Sequence, residues 1–145
     1  MNDQDIKTRA LKIIKQASNT VFMTIDEQGF PHPRTMWVAG FDDDFTTYYV
    51  TGKSLVKCKH ISENPNVCSF WTQVDGTEIG PSYVFVKGVA EITEDQSLRD
   101  RFWSDMLSTY FPEGKTDPNY VIIIVRPKEL MLMDEEKYPL DKIEF

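Results

Sequence analysis

Residues 51–60 carry the densest concentration of chemistry-bearing side chains in the sequence. They hold Lys53, Lys57, Lys59 and His60 and no acid, in a chain whose formal net charge is −7. Phe45 to Val50 precede them as an aromatic, β-branched run that reads as a strand. Gly52 permits a tight turn, and Ser54 is placed to N-cap a helix running to Glu63, which Pro65 ends. Leu55, Cys58 and Ile61 or Ser62 form its expected inner face. A strand, a turn and a helix start would gather free N–H groups before the positive end of the helix dipole. Lys57 in the first helical turn is unfavourable there unless an anion binds, and with Lys53 the stretch suits a phosphate. The same composition also suits a solubilising patch on a surface helix.

Other chemistry is sparse. The sequence contains no Gly-x-Ser-x-Gly, Walker, Gly-x-Gly-x-x-Gly or His-Glu-x-x-His motif. The two histidines, His32 and His60, read as surface residues or polar spacers rather than as a metal pair. Cys58 and Cys68 lack metal-ligand spacing and read as reduced, buried thiols, which points to the cytoplasm. The acidic balance opposes nucleic acid, and no apolar run reaches membrane-spanning length or resembles a leader. A phosphate pocket with so little acid–base machinery points to chemistry borrowed from a cofactor.

The elements that must position this pocket follow from periodicity in 145 residues, a length that suits a single domain over the whole chain. Residues 3–17 read as an amphipathic helix, 20–25 as a strand and 31–41 as a second strand. Residues 66–74 and 82–92 read as strands, the latter with Gly88 marking a bulge. Thr93 to Gln96 form a capping box for a helix with the stripe Leu98, Phe102, Met106 and Tyr110. The loop 75–81 is polar. Tyr120 to Val125 read as an aliphatic strand buried on both faces, 128–134 as a last strand, and the tail has no clear pattern. Six or seven antiparallel strands favour closure into a small barrel with two or three helices, a mainly β (α+β) fold. The doubly buried strand points to a second subunit covering one face.

Arg34-Thr35-Met36, Thr51 with Lys57 six residues on, Asn64-Pro65, and Val84 to Glu91 with Gly88 follow one another along the chain. Their order resembles the pyridoxamine 5′-phosphate oxidase-like, FMN-binding split barrels. Tyr110 to Gly114, then Asp117-Pro118 and an aliphatic strand, resemble the general-stress-protein branch. The resemblance spans about residues 20–134.

It implies an antiparallel split β-barrel with flanking helices, and a homodimer with FMN at the subunit interface. Arg34 and Lys57 would hold the FMN phosphate. Thr35, Met36 and Trp37, with Tyr49, Val50 and Thr51, would lie along the flavin, largely through backbone groups. The family's serine two places before the lysine is Leu55 here, with Ser54 one place early. Ser54 stays a candidate through its hydroxyl, and Tyr83 is a candidate for approaching the ring. The Arg-x-His pair of true pyridoxamine 5′-phosphate oxidases has no counterpart in residues 138–145, so that activity is not expected.

Three functions compete. The first is a flavin-dependent oxidoreductase taking electrons from a nicotinamide or another small molecule. The second is a non-catalytic protein that binds or senses flavin or haem. The third, an oligonucleotide-binding barrel, is disfavoured by the charge.

Overall fold

The first helix, α1 (Asp3–Gln16), is fixed by a reciprocal cap: the Asp5 amide donates to Asn2 Oδ1 at 2.8 Å and the Asn2 amide to Asp5 Oδ2 at 3.3 Å. The structure, a computed structural model, describes residues 2–17, 19–73, 82–134 and 140–145. After α1 come β1 (Thr20–Ile25), β2 (Pro31–Met36), β3 (Gly40–Phe41) and β4 (Thr47–Gly52), then α2 (Val56–Glu63). The chain continues through β5 (Asn66–Gln73), β6 (Ser82–Thr93), α3 (Gln96–Phe102), β7 (Tyr120–Met133) and β8 (Asp141–Glu144). Two short 3-10 turns, Asp105–Thr109 and Gly114–Thr116, connect α3 to β7.

All strands join one antiparallel sheet in the order β2-β1-β5-β6-β7-β4-β3, with β8 on β7. The sheet curls, so its two ends approach without hydrogen bonding to each other. Phe22 on β1 and Tyr49 on β4 meet across the interior with ring centres 4.8 Å apart. Residues 37–39 carry the chain from β2 at one end of the sheet to β3 at the other. This crossing is the split of the barrel; the antiparallel split-barrel fold is the one the family resemblance implies, where strand count alone pointed to a small closed barrel.

Register divides the two faces by period two. Phe22, Ser69, Val86 and Leu130 form one cross-strand row and are buried. On the other face the neighbouring row is Val21, Phe70, Phe85 and Met131, all half-buried. The α1 stripe Ile6, Ala10, Ile13 and Ile14 packs on Trp71, Val84 and Leu132 at one end of the interior. Ile61 of α2 packs with Phe22, Tyr49 and Ile123.

The bulge expected at Gly88 is present as a register shift between Lys87 and Gly88. A Cβ at Gly88 would lie 2.6 Å from Val125 Cγ1 and 2.8 Å from the Arg126 carbonyl oxygen, so the strands approach more closely than a side chain allows.

Several expected boundaries shift. The strand expected over 31–41 stops at Met36, because the chain must leave β2 to cross the split. Phe45 does not begin β4 but occupies the left-handed position of the preceding turn, at φ 69°. A bulky side chain is strained there, and burial of its ring offsets the cost. The expected capping box does not form. Thr93 ends β6, α3 starts at Gln96 without a side-chain cap, and the helix stops at Phe102. Met106 and Tyr110 are therefore exposed instead of continuing its stripe.

The strands expected at 120–125 and 128–134 are one strand, β7. Pro127 is tolerated because it lies between the β4-paired segment ending at Val125 and the β8-paired segment starting at Glu129, opposite the bulge. The second face of residues 120–125 is covered within the chain, by Phe102 and Phe111 packed on Tyr120, Ile122 and Ile124. A second subunit is not needed there. The expected tail gains β8, while the loop 75–81 lies outside the described residues.

Candidate functional site

The split is walled by the two ends of the curled sheet and stoppered by the start of α2. Arg34 lies on β2, Thr51 near the end of β4, and Lys57 in the first turn of α2. Lys57 Nζ donates to Thr51 Oγ1 at 3.2 Å. Arg34 stacks over the Phe22 ring at 5.9 Å and donates through Nη1 to the Phe22 carbonyl at 3.2 Å. Its Nη2 is buried and has no hydrogen-bond partner among the described residues.

Burial lowers the pKa of Arg34, and burial followed by the charge of Arg34 lowers that of Lys57. The smaller effect of Cys58 on Lys57 runs the other way. Two partly desolvated cations near each other, one with an unsatisfied donor, destabilise the ligand-free protein. A dianion between them would relieve both costs. This is the donor set a phosphate monoester requires.

Beside the cations opens a groove of about 460 Å³, within the range of small-molecule sites. Thr35, Met36 and Trp37 form one wall, and Val50, Thr51 and Gly52 the facing one. Leu55 and Lys57 border it from the α2 side, and Leu107, Tyr110, Phe111 and Asn119 from the segment before β7. Trp37 and Tyr110 are 58% and 74% exposed, so two aromatic faces stand at the mouth.

Six of the ten residues expected at the site line this groove: Thr35, Met36, Trp37, Val50, Thr51 and Lys57. Arg34 adjoins Lys57 electrostatically. Tyr49 turns its side chain into the core, where its hydroxyl lies 2.9 Å from Ser69 Oγ. Burial raises its pKa, and only its backbone remains for the groove. Tyr83 lies apart on the outer sheet face, stacked on Phe85 and tilted against Phe70.

Ser54 is not the N-cap. Leu55 occupies that position without a side-chain cap. The Ser54 amide donates to Asn119 Oδ1 at 3.0 Å and the Lys53 amide to the Asn119 carbonyl at 2.8 Å. The Leu55 amide donates to the Gly52 carbonyl. These donors of the turn before α2 are therefore occupied, and Lys53 pairs outward with Glu94 at 2.9 Å.

The expected inner face of α2 also changes. Leu55 and Ser62 are exposed, while Cys58, His60 and Ile61 are buried. His60 is thus no surface spacer: its Nδ1 lies 2.8 Å from Thr24 Oγ1, and its ring stands 5.2 Å from that of His32. The helical spacing of Lys57, His60 and Ile61 was the available signal. Asn119 and Leu107 carried none, and Tyr110 was read only in a helix stripe and a family motif, because only the fold brings the three to the groove. Both cysteines are free thiols; Cys58 is buried and Cys68 only partly.

Residues 5–140 match the sequence profile described as "Pyridoxamine 5′-phosphate oxidase like". The chain belongs to this family. Within the pyridoxamine 5′-phosphate oxidase-like family it is similar to General stress protein 26 of Bacillus subtilis strain 168, with 37% identity over 141 residues and 97% of each chain covered. It is also similar to the crystal structure of General Stress Protein 26 from Bacillus anthracis strain Sterne, at TM-score 0.75 and 28% identity, covering 96% of this chain and 98% of that one. A heme binding protein from Mycobacterium smegmatis shares the fold at TM-score 0.75 and 11% identity, covering 99% of this chain and 59% of that one. No helix among the described residues is long and apolar enough to cross a membrane.

Proposed function

We propose that this pyridoxamine 5′-phosphate oxidase-like protein is an FMN-dependent oxidoreductase acting on a small molecule. The observation that carries the reading is the Arg34–Lys57 pair, with Arg34 Nη2 buried and unpartnered. The FMN phosphate would take this position, and the isoalloxazine the groove between residues 35–37 and 50–52. Thr35 to Trp37 and Val50 to Thr51 border the flavin mainly through backbone, with Trp37 and Tyr110 limiting water at the mouth. FMN supplies hydride and electron transfer when bound, so the protein's share is binding, orientation and exclusion of solvent. FMN is favoured over FAD because the sequence has one cationic phosphate site and no second Gly-rich phosphate loop.

The working unit in this reading is a homodimer. Its support is the outer row Val21, Phe70, Phe85 and Met131, apolar side chains left half-buried on the outer face. The row is an apolar patch on a face that beside it carries the ion pairs of Lys87 and Lys142 with Glu129. The row continues through Thr35, which pairs with Val21 and lines the groove, so a partner subunit there would border the flavin.

The second reading is a non-catalytic binder of flavin or haem, raised by the fold shared with the heme binding protein from Mycobacterium smegmatis. Absorbance of the purified protein and mass spectrometry of its released ligand separate the cofactors. A flavin spectrum with released FMN is expected; FAD, haem, or no uptake of supplied flavin contradicts the proposal. Reduction of bound FMN by a reduced nicotinamide, followed by turnover with an acceptor, separates enzyme from binder.

A further inference from the structure

The seam between α2 and β2 carries two successive side-chain pairs. Lys57 and His60 are three residues apart on α2, Arg34 and His32 two apart on β2, so each pair shares one face of its element. Lys57 adjoins Arg34, and His60 adjoins His32. The first pair is the anion site. The second pair has no part in it.

His60 is 2% exposed. Its side-chain hydrogen bond joins Nδ1 and Thr24 Oγ1, 2.8 Å apart. Thr24 is itself buried and is the cross-strand partner of His32. In the tautomer that donates Nδ1–H to this hydroxyl, His60 presents the lone pair of Nε2. Anchoring one imidazole nitrogen to orient the other is the usual support of a metal-bound histidine.

The ring centres of His60 and His32 are 5.2 Å apart, tilted by 52°. Two imidazoles sharing one cation, with bonds of about 2.0–2.1 Å, place their ring centres about 5 Å apart at a tetrahedral angle. No group of three or more His, Cys, Asp or Glu gathers around a common point among the described residues. Water or a small anion would complete the coordination.

We propose that His32 and His60 form a two-histidine site for a borderline divalent cation such as Zn²⁺, with Thr24 positioning His60. The site clips edge strand β2 to α2 beside the anion pocket. It stands independently of the FMN reading, since neither histidine is assigned to flavin.

The test is calorimetric titration of tag-free protein, as purified, with Zn²⁺. The wild type should take up one ion per chain. His32→Ala alters an exposed residue, so the fold should be retained while saturable binding is lost. Thr24→Val keeps the shape and both ligands but should weaken Zn²⁺ by about ten- to a hundredfold, as removal of an outer-shell partner does. No saturable uptake by the wild type, or equal uptake by His32→Ala, overturns the site. Unchanged affinity in Thr24→Val overturns the positioning role of Thr24.

Discussion

Lys57 Nζ donates to Thr51 Oγ1 at 3.2 Å, tying the first turn of α2 to the end of β4. The bond holds the ammonium in the split near Arg34, where burial and like charge lower its pKa. The position is unfavourable in the ligand-free protein and useful only when an anion is present.

This conflict predicts a trade-off. Because the folded pKa of Lys57 lies below its ordinary value of 10.5, the unfolded chain binds more protons between those values. The contribution of Lys57 to ligand-free stability therefore rises as pH climbs through that window. Lys57→Met should flatten the rise and raise the neutral-pH melting temperature of the flavin-free protein. Thermal melts of both proteins across pH, without and with FMN, check it: the variant should gain in the first condition and lose in the second.

The outer sheet row predicts an interface. Phe85 sits between Phe70 and Met131 across neighbouring strands. Phe85→Glu would place a charge in the middle of a dimer contact while remaining solvated in a monomer. Light scattering should report a dimer for the wild type and a monomer for the variant. A wild-type monomer that retains flavin, or an unaffected variant dimer, contradicts the assembly.

Much of this architecture was legible in the chain, and the parts that were not share a cause. β1 occupies the expected residues 20–25, and the bulge falls at Gly88, because alternation and a lone strand glycine are local signals. The break after Met36, the continuity of β7 through Pro127 and the end of α3 at Phe102 depend on which strands lie alongside. No local window contains that information. The site divides in the same way. Lys57 was singled out by its place in the basic turn and Arg34 by the family resemblance, whereas burial of His60, the outward turn of Lys53 and the position of Asn119 required tertiary packing.

Tyr49 offers a separate check on how the flavin wall works. Its hydroxyl is buried against Ser69 at 2.9 Å, away from the groove. Tyr49→Phe should cost about 1–3 kcal/mol by leaving the Ser69 hydroxyl without its partner, and should leave FMN affinity unchanged. Chemical denaturation and flavin titration of one preparation report both quantities. A selective loss of FMN affinity would show that the side chain, and not the backbone alone, serves the ligand.

The central claim is that Lys57 and Arg34 together hold the FMN phosphate, and fluorescence titration of FMN against Lys57→Ala and Lys59→Ala tests it most directly. Lys59 is exposed and stands about 200° around the helix from Lys57, so the two variants remove the same charge from different places. Loss of a charge-assisted hydrogen bond to the phosphate, roughly 1.5–3 kcal/mol, should weaken FMN by about ten- to a hundredfold in Lys57→Ala. Lys59→Ala should bind nearly as the wild type does, since exposed charges act weakly through solvent. Equal losses in the two variants, or none at Lys57, would contradict the assignment.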